Sequence, residues 1–169
     1  MPKTEIIVIN TSPLIAIVAA LGNLRVLQSL YTEVLVPYEV CQEILVGGSR
    51  DFAITEFTAA TWLQKQSTSL NISPLLLNVL DTGEAAVIQL GMNENIQTVC
   101  IDEVVGRRVA RLSGLSVTGS IGVLLRAKRE GYPISVQQAI SRMLNQGIRL
   151  SQTVIDFALE QAIEDNSSD

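Results

Sequence analysis

The sequence predicts a three-layer α/β/α fold, in which a central, mainly parallel sheet of about five strands lies between helices. Strand-like and helix-like hydrophobic patterns alternate along most of the chain, without an internal repeat or a low-complexity linker. Several strand candidates, such as Ile6 to Ile9 and Val34 to Val36, are continuous apolar runs. Runs of this kind are typical of strands covered on both faces, as in parallel sheets.

The apolar runs and the turn residues between them set the predicted order of elements. Strands are predicted at 5–10, 33–36, 61–66, 97–102 and 115–118. Helices are predicted at 12–20, 23–30, 37–46, 51–59, 72–79, 83–93, 103–113, 120–130, 135–146 and 151–165. Prolines that suit a first helical turn are Pro13, Pro37 and Pro74. Glycines that follow predicted helix ends are Gly47, Gly114, Gly131 and Gly147.

The length of 169 residues, of which 47% are hydrophobic, is enough for one domain with a substantial core, so we expect residues 1–169 to form a single domain. After Pro133 two predicted helices, at about 135–166, follow each other with no strand between them. Three roles are open for these C-terminal helices: a lid, a flank to the sheet or a subunit contact.

Composition excludes several classes of site and of protein. The chain has no histidine, which removes Ser-His-Asp and Cys-His catalysis and histidine metal ligands. Cys41 and Cys100 match no zinc or redox spacing, so buried free thiols are expected. No apolar run approaches a membrane span, and the N-terminus does not resemble a secretion signal. These features predict a cytoplasmic protein with no membrane association.

The net charge of −5 arises from the C-terminal segment, and the rest of the chain is neutral overall. Five acidic residues lie in the last fourteen positions, whereas the first 155 residues carry twelve acidic and twelve basic groups. Six of the twelve cations fall between positions 107 and 129, which allows a basic face within an acidic protein. Arg107 and Arg111, one helical turn apart, are predicted phosphate contacts, and the alternative for Arg107 is an i,i+4 pair with Glu103.

Polar residues follow three predicted strands, where ligands of open parallel sheets bind. These strand ends are Asn10-Thr11-Ser12, Asp102-Glu103 and Thr118-Gly119-Ser120. A structural alternative exists, since Ser12, Asp102 and Ser120 are residue types that commonly cap helices.

Two carboxylates within predicted helices are further candidates. Glu43 is flanked by apolar residues, and Glu84 stands three positions after Asp81, the spacing of an acidic capping box. The alternatives are a solvated helix face for Glu43 and a structural cap for Asp81. If Glu43, Glu84 and Asp102 converge, their repulsion requires a cation, and oxygen-only ligands favour Mg2+ or Mn2+ over zinc.

Five segments in order resemble the signature of the PIN domain family. The resemblance covers about residues 5–147 and is greatest to a prokaryotic subfamily of largely unassigned function, related to the toxins of toxin-antitoxin modules. Its segments are Asn10-Thr11-Ser12-Pro13-Leu14-Ile15, Val36-Pro37 with Val40 and Glu43-Ile44, Leu80-Asp81-Thr82-Gly83-Glu84-Ala85, Ile101-Asp102-Glu103 with Arg107 and Ala110, and Val117-Thr118-Gly119-Ser120-Ile121-Gly122-Val123-Leu124.

The resemblance implies a PIN-like fold and a metal-dependent endoribonuclease acting on RNA, with Mg2+ or Mn2+ as cofactor. The residues that match the family's acidic quartet are Asn10, Glu43, Glu84 and Asp102, with Glu103 adjoining and Ser12, Thr118 and Ser120 as outer groups. The resemblance also implies a homodimer and a cognate antitoxin-like partner.

Asn10 is the departure from this pattern, because members of the family typically have aspartate there. Asparagine keeps an acceptor oxygen but lacks the negative charge, so a metal would lose an anionic ligand. Two functions are therefore weighed: a PIN-type ribonuclease weakened by Asn10, and an inactive PIN-like module that binds RNA or a protein.

Overall fold

The computed structural model describes residues 5–46 and 50–167, with side chains described as far as residue 164. Gly47, one of the predicted helix stops, lies outside these residues. The strands are β1 (Ile6–Ile9), β2 (Glu33–Val36), β3 (Gln64–Lys65), β4 (Thr98–Cys100) and β5 (Ser116–Thr118). The helices are α1 (Thr11–Leu21), α2 (Arg25–Leu30), α3 (Tyr38–Val46), α4 (Asp51–Ala59), α5 (Pro74–Val79), α6 (Thr82–Asn93), α7 (Val104–Leu112), α8 (Ser120–Arg129), α9 (Val136–Asn145) and α10 (Gln152–Ser167).

All five strands are parallel and lie in the order β3-β2-β1-β4-β5. Helices flank this sheet on both sides, which confirms the predicted three-layer α/β/α architecture. The predicted central strands are buried on both faces: Ile7, Val8 and Ile9 of β1 have no exposed surface. These side chains belong to the main hydrophobic core, together with apolar residues from the helices on both faces.

β3 is shorter than the predicted strand 61–66. It pairs with β2 through two residues, Leu35 with Gln64 and Val36 with Lys65. Residues 61–63 form a turn instead, in which the Leu63 N–H donates to the Ala60 carbonyl. As an edge strand β3 has one neighbour, so fewer ladder hydrogen bonds hold it in extended form.

The strand order reverses between β1 and β4. From β1 the chain builds outward through β2 and β3, and it then returns to the other side of β1 for β4 and β5. The carboxyl ends of β1 and β4 are joined directly, because the Asn10 N–H donates to the Cys100 carbonyl at 3.1 Å. The Ile101 N–H similarly donates to Thr118 of β5 at 2.9 Å. Three polar strand ends therefore meet at one edge, as the sequence predicted.

The C-terminal helices α9 and α10 pack on other helices of the domain. α9 packs on α1, where the alanines Ala16, Ala19 and Ala20 meet Leu124, Ala139 and Met143 in a second apolar cluster. Small residues spaced three and four apart allow two helices to approach closely. α10 packs on α8 and α9 through a third cluster that includes Ala158. The three roles considered for this segment, a lid, a flank to the sheet or a subunit contact, stay predictions.

Both cysteines are free and buried, as predicted, and burial raises the pKa of each thiol. In the part of the chain that the structure describes, no helix combines the length and the apolar character that crossing a bilayer requires.

Candidate active site

The side chain of Asn10 lies buried at the end of β1 and leaves its amide oxygen without a hydrogen bond. Only 4% of the residue is exposed, and Oδ1 finds no donor among the described residues. Asn10 occupies the N-cap position of α1, yet its side chain makes no capping hydrogen bond. A buried, unpaired oxygen costs free energy in an isolated protein. This oxygen is therefore available to accept a hydrogen bond or to bind a cation.

Glu43 reaches the same place from α3. A Cβ added to Gly83 would collide with Glu43 Oε2 and would lie 3.1 Å from Asn10 Oδ1. Both oxygens therefore lie beside the space where a side chain at position 83 would begin. The absence of a side chain at Gly83 therefore makes room for both. The neighbouring Thr11 hydroxyl is buried and makes no hydrogen bond of normal geometry, but it lies close enough to lower the pKa of Glu43. Glu43 as a residue is exposed, as the alternative of a solvated helix face predicted, but desolvation of its carboxyl group at Gly83 and the charge of Asp81 outweigh the effect of Thr11 and raise the pKa of Glu43.

Glu84 lies in the first turn of α6 and is 5% exposed. Its backbone N–H donates to Asp81 Oδ1 at 2.8 Å, which confirms Asp81 as the helix cap. The carboxylate packs against Gly106 of α7, where an added Cβ would lie 3.1 Å from Glu84 Oε1. Burial, followed by the charges of Asp81 and Glu103, raises the pKa of Glu84 to about 7. Glu43 adds to this rise, so the two acids interact electrostatically.

Asp102 follows β4 and is held by the first residue of α8. Its Oδ1 accepts the Ser120 backbone N–H at 2.7 Å, and its Oδ2 accepts the Ser120 hydroxyl at 2.9 Å. Burial raises the pKa of Asp102, while these two hydrogen bonds and the guanidinium of Arg107 lower it in part. The carboxylate is therefore fixed in orientation across the end of the sheet.

The capping alternative fails for the three residues to which it was applied. The N-cap positions of α1, α7 and α8 are Asn10, Glu103 and Gly119, and none of them makes a side-chain capping bond. Asp102 and Ser120 each lie one residue from the N-cap position of the adjacent helix, and Ser12 lies two residues from it. Asp102 instead satisfies an N–H of α8, a helix that begins eighteen residues further along the chain.

The outer residues of the predicted site have different positions. Ser120 is buried, whereas Ser12 and Glu103 are exposed. The Thr118 hydroxyl faces Gly122, because a Cβ built on Gly122 would lie 2.5 Å from the hydroxyl oxygen. This hydroxyl donates only a long hydrogen bond of 3.5 Å to the Gly119 carbonyl. Thr118 therefore does not contact the carboxylates through any hydrogen bond seen among the described residues.

Arg107 turns toward the end of β4. Its Nη1 donates to the Ile101 carbonyl at 2.9 Å, and a Cβ on Gly119 would lie 2.8 Å from Nη1 and 2.7 Å from Asp102 Oδ1. The predicted alternative, an ion pair with Glu103, is not formed within the described residues, where the ion pairs are those of Arg126 with Glu5 and Glu130. Arg111 is exposed in the last turn of α7. The basic segment is thus divided: Arg107 lies at the site, and Arg126 forms structural pairs elsewhere.

The four predicted ligands do not converge on a single point. Asn10 and Glu43 meet at Gly83, Glu84 packs on Gly106, and Asp102 is turned toward Ser120. Within residues 5–46 and 50–164, no group of three or more His, Cys, Asp or Glu side chains has a geometry that could hold a metal ion. The amide of Asn10 is not among those residue types. The donor chemistry, oxygens alone with one orphaned amide oxygen, nevertheless fits a hard divalent cation.

A comparison with models of protein families agrees with the three-layer α/β/α fold. The family model DUF3368, described as a PIN domain, matches residues 6–164. The chain belongs to the PIN domain family. This family generally comprises metal-dependent nucleases. No match was found among curated proteins.

In this PIN domain, sequence reasoning missed several residues at the site. Gly106 provides room for Glu84, and two residues of the predicted strand ends have roles that were not predicted: Thr11 lies beside Glu43, and Gly119 provides room for Asp102. A glycine inside a helical pattern, as at Gly106, was the available signal. Arg50 and Arg149 line a cleft beside Asp102, but both are isolated cations outside the basic segment, and no sequence pattern distinguished them.

Proposed function

We propose that this PIN domain is a metal-dependent endoribonuclease whose Asn10, Glu43, Glu84 and Asp102 hold Mg2+ or Mn2+. The observation that carries the proposal is the buried oxygen of Asn10, which accepts no hydrogen bond from a described residue and lies with Glu43 Oε2 at Gly83. A divalent cation would satisfy this oxygen and neutralise the carboxylate beside it.

The electrostatics of the acidic residues support a cation. Burial, with the charges of Asp81 and Glu103, raises the pKa of Glu84 to about 7, and burial with the charge of Asp81 raises the pKa of Glu43. Both acids therefore bear a free-energy cost when ionised. A bound cation reverses this cost, because it stabilises the charged form of each neighbour.

The proposed roles follow from the positions of the residues. When bound, the metal polarises a phosphate and lowers the pKa of a water molecule. Asn10 and Glu43 would hold it at the end of β1, and Asp102, fixed by Ser120, at the end of β4. Glu84, buried in the first turn of α6 beside Gly106, would help to orient that water. Arg107 would hold a phosphate oxygen with the guanidinium N–H groups that its bond to Ile101 leaves free.

The remaining predicted residues have supporting roles in the proposal. Glu103 is exposed beside Asp102 and would add negative charge to the metal site, and Arg111 would contact the RNA backbone at the outer end of α7. Ser12 and Thr118 would act through water at the rim.

Asn10 makes the proposed enzyme weaker than a relative with aspartate. Losing the charge of one ligand costs on the order of 1.5–3 kcal/mol in metal affinity, on the scale of hydrogen bonds to charged groups. This corresponds to roughly a ten- to a hundredfold weaker metal complex.

The second candidate is an inactive PIN-like module that binds RNA or a protein partner. The arrangement of the carboxylates favours it, because no three of them in the described residues meet around one point. A protein partner has a surface available on α7, where Val104, Val105 and Leu112 are exposed by 73%, 57% and 81%. A toxin-like role with an antitoxin-like partner, a homodimer and a cytoplasmic location remain predictions.

Cleavage of generic single-stranded RNA with Mn2+ tests the proposal, using the native chain, Asn10→Asp and Asp102→Asn purified identically. We expect cleavage by the native chain, faster cleavage by Asn10→Asp and none by Asp102→Asn, which also controls for contaminating nucleases. If neither the native chain nor Asn10→Asp cleaves RNA, and Mn2+ does not shift the melting temperature of either, the nuclease proposal is wrong.

A further inference from the structure

A cleft of about 250 Å3 opens beside the candidate active site. Its wall includes Asp102 and Glu103 from the site and Ser12 from the first turn of α1. The lining also includes Arg50, Ile148 and Arg149, from the start of α4 and the segment between α9 and α10. We call this feature the arginine cleft, defined by Ser12, Arg50, Asp102, Glu103, Ile148 and Arg149. It is continuous with the site through Asp102.

Arg50 is held in a defined orientation. It is half-buried, and its Nη1 donates to the Gln146 carbonyl at the end of α9, at 2.7 Å. Gly147 has a left-handed backbone conformation, with a φ of +82°. Arg50 Nη2 passes this backbone and would lie 3.9 Å from a Cβ built on Gly147. One hydrogen bond thus fixes the guanidinium and leaves other N–H groups for a ligand. Such preorganisation reduces the entropy lost on binding.

Neither arginine of the cleft is neutralised by a described residue. Across residues 5–46 and 50–164, the ion pairs involve Arg126, and neither Arg50 nor Arg149 has a carboxylate within pairing distance. Arg149 is exposed and makes no side-chain hydrogen bond to a described residue. Two unpaired cations beside an acidic site suit an anion that must approach that site.

We propose that the arginine cleft binds the phosphodiester backbone of a single-stranded nucleic acid next to the bond that is cut. This inference rests on the proposed nuclease function and names where its substrate runs. The nucleic-acid strand would extend from the metal-binding residues past Asp102 and along Arg50 and Arg149. Because the contacts are to phosphates, the cleft positions the strand without reading its sequence.

A competing explanation is that the arginines only offset the negative charge of Asp102 and Glu103. In that explanation, removing them changes stability but leaves nucleic-acid binding unaltered. Binding and its salt dependence therefore distinguish the two.

The test measures binding of a short fluorescein-labelled single-stranded RNA by fluorescence anisotropy in EDTA over a series of salt concentrations. The metal-dependent reaction does not run in EDTA, so binding is read independently of cleavage. The variants are Arg50→Ala, Arg149→Ala and the double variant. Arg129→Ala is the matched control, because this arginine is exposed in the last turn of α8, away from the strand ends. DNA of the same sequence forms a second arm.

We expect each cleft substitution to lower the slope of log affinity against log salt by about 0.7, which at about 0.1 M salt is roughly a fivefold loss of affinity. Arg129→Ala should behave as the native chain, and a double variant with lysine at both positions should retain most of the slope. Equal losses with RNA and DNA would identify the phosphodiester alone as the ligand, and a larger loss with RNA would indicate that the ribose contributes.

If the slope of log affinity against log salt is unchanged in the double alanine variant, the proposal that the arginine cleft binds nucleic acid is wrong, whether or not the native chain cleaves RNA. Absence of nucleic-acid binding by the native chain overturns it as well. If Arg50→Ala lowers the melting temperature through loss of its bond to Gln146, the proposal is judged on the salt-dependence slope of Arg149→Ala. If the slopes fall as expected but no variant cleaves RNA with Mn2+, the cleft stands as a binding site and the nuclease proposal alone fails.

Discussion

The amide oxygen of Asn10 and the carboxylate oxygen Oε2 of Glu43 meet at the position that a Cβ on Gly83 would occupy. The first is buried without a hydrogen bond, and the second belongs to an acid whose pKa is raised by partial burial and by Asp81. A neutral residue at position 10 limits the repulsion between them. This relationship makes the consequences of restoring an acid there predictable.

Asn10→Asp should destabilise the protein without metal and stabilise it with metal. A second negative charge beside Glu43 adds repulsion in a buried setting, whereas a divalent cation converts the same charge into a ligand. We expect a lower melting temperature than the native chain in EDTA and a larger upward shift on adding Mn2+, measured by differential scanning fluorimetry. An equal melting temperature in EDTA would mean that Asn10 and Glu43 do not interact.

Gly83→Ala should preserve the fold and impair the site. The added methyl group would displace the Glu43 carboxylate, which ends a flexible side chain, while alanine favours the helix by roughly 0.5–1 kcal/mol over glycine. We expect unchanged or higher stability to urea and a loss of the Mn2+ shift. Thr82→Ala is the matched control, since Thr82 is the exposed first residue of the same helix. A full Mn2+ shift in Gly83→Ala would show that Glu43 is not a ligand.

The native protein should lose stability as the pH rises from 4.5 to about 7 because of Glu84. Its pKa is raised from 4.5 to about 7 in the folded state, so between these values the folded state binds more protons than the unfolded state. The stabilisation is complete below pH 4.5 and is lost as the pH passes about 7. Urea unfolding across this range should show a fall that Glu84→Gln removes. A stability profile of the same shape in both proteins would contradict the raised pKa.

Ser120→Ala should loosen Asp102. The variant keeps the backbone hydrogen bond and loses the hydroxyl bond to Oδ2, a bond to a partly buried charged group worth about 1–2 kcal/mol at neutral pH. The difference in the free energy of unfolding should shrink as the pH falls toward 3.8, because the pKa of Asp102 is raised above this ordinary aspartate value and its carboxylate becomes protonated there. Ser116→Ala, at the start of β5, controls for the loss of an exposed hydroxyl. A cost independent of pH would assign Ser120 a packing role only.

The fold was predictable because each local signal agrees with the others. Continuous apolar runs mark strands covered on both faces, and Pro37 and Gly114 mark the start of α3 and the end of α7. Parallel strands place their carboxyl ends at one edge, so the joining of the ends of β1 and β4, which Asn10 and Asp102 follow, was expected from the order of elements. The short edge strand β3 was overestimated, because its length depends on pairing with β2 and not on local sequence.

Candidate residues for the site could be selected from the sequence, whereas their orientations could not. Residue type and spacing made Glu84 and Asp102 candidates, but the turn of Asp102 toward Ser120 depends on how α8 meets the end of β4. The same limit applies to Arg50 and Arg149, which are far apart in the sequence and meet at one cleft only because α9 packs on α1. Such relationships arise from tertiary packing, which periodicity does not encode.

Titration with Mn2+, followed by calorimetry at a pH above 7, tests the central claim most directly. The native chain and a double variant, Glu84→Gln with Asp102→Asn, should be compared, because both substitutions preserve shape and remove charge. The account predicts that the native chain binds Mn2+ and that the double variant binds it at least about tenfold more weakly, the scale of one lost charged ligand. Equal Mn2+ affinity in the two proteins, or no binding by the native chain, would contradict a metal site at the ends of β1 and β4.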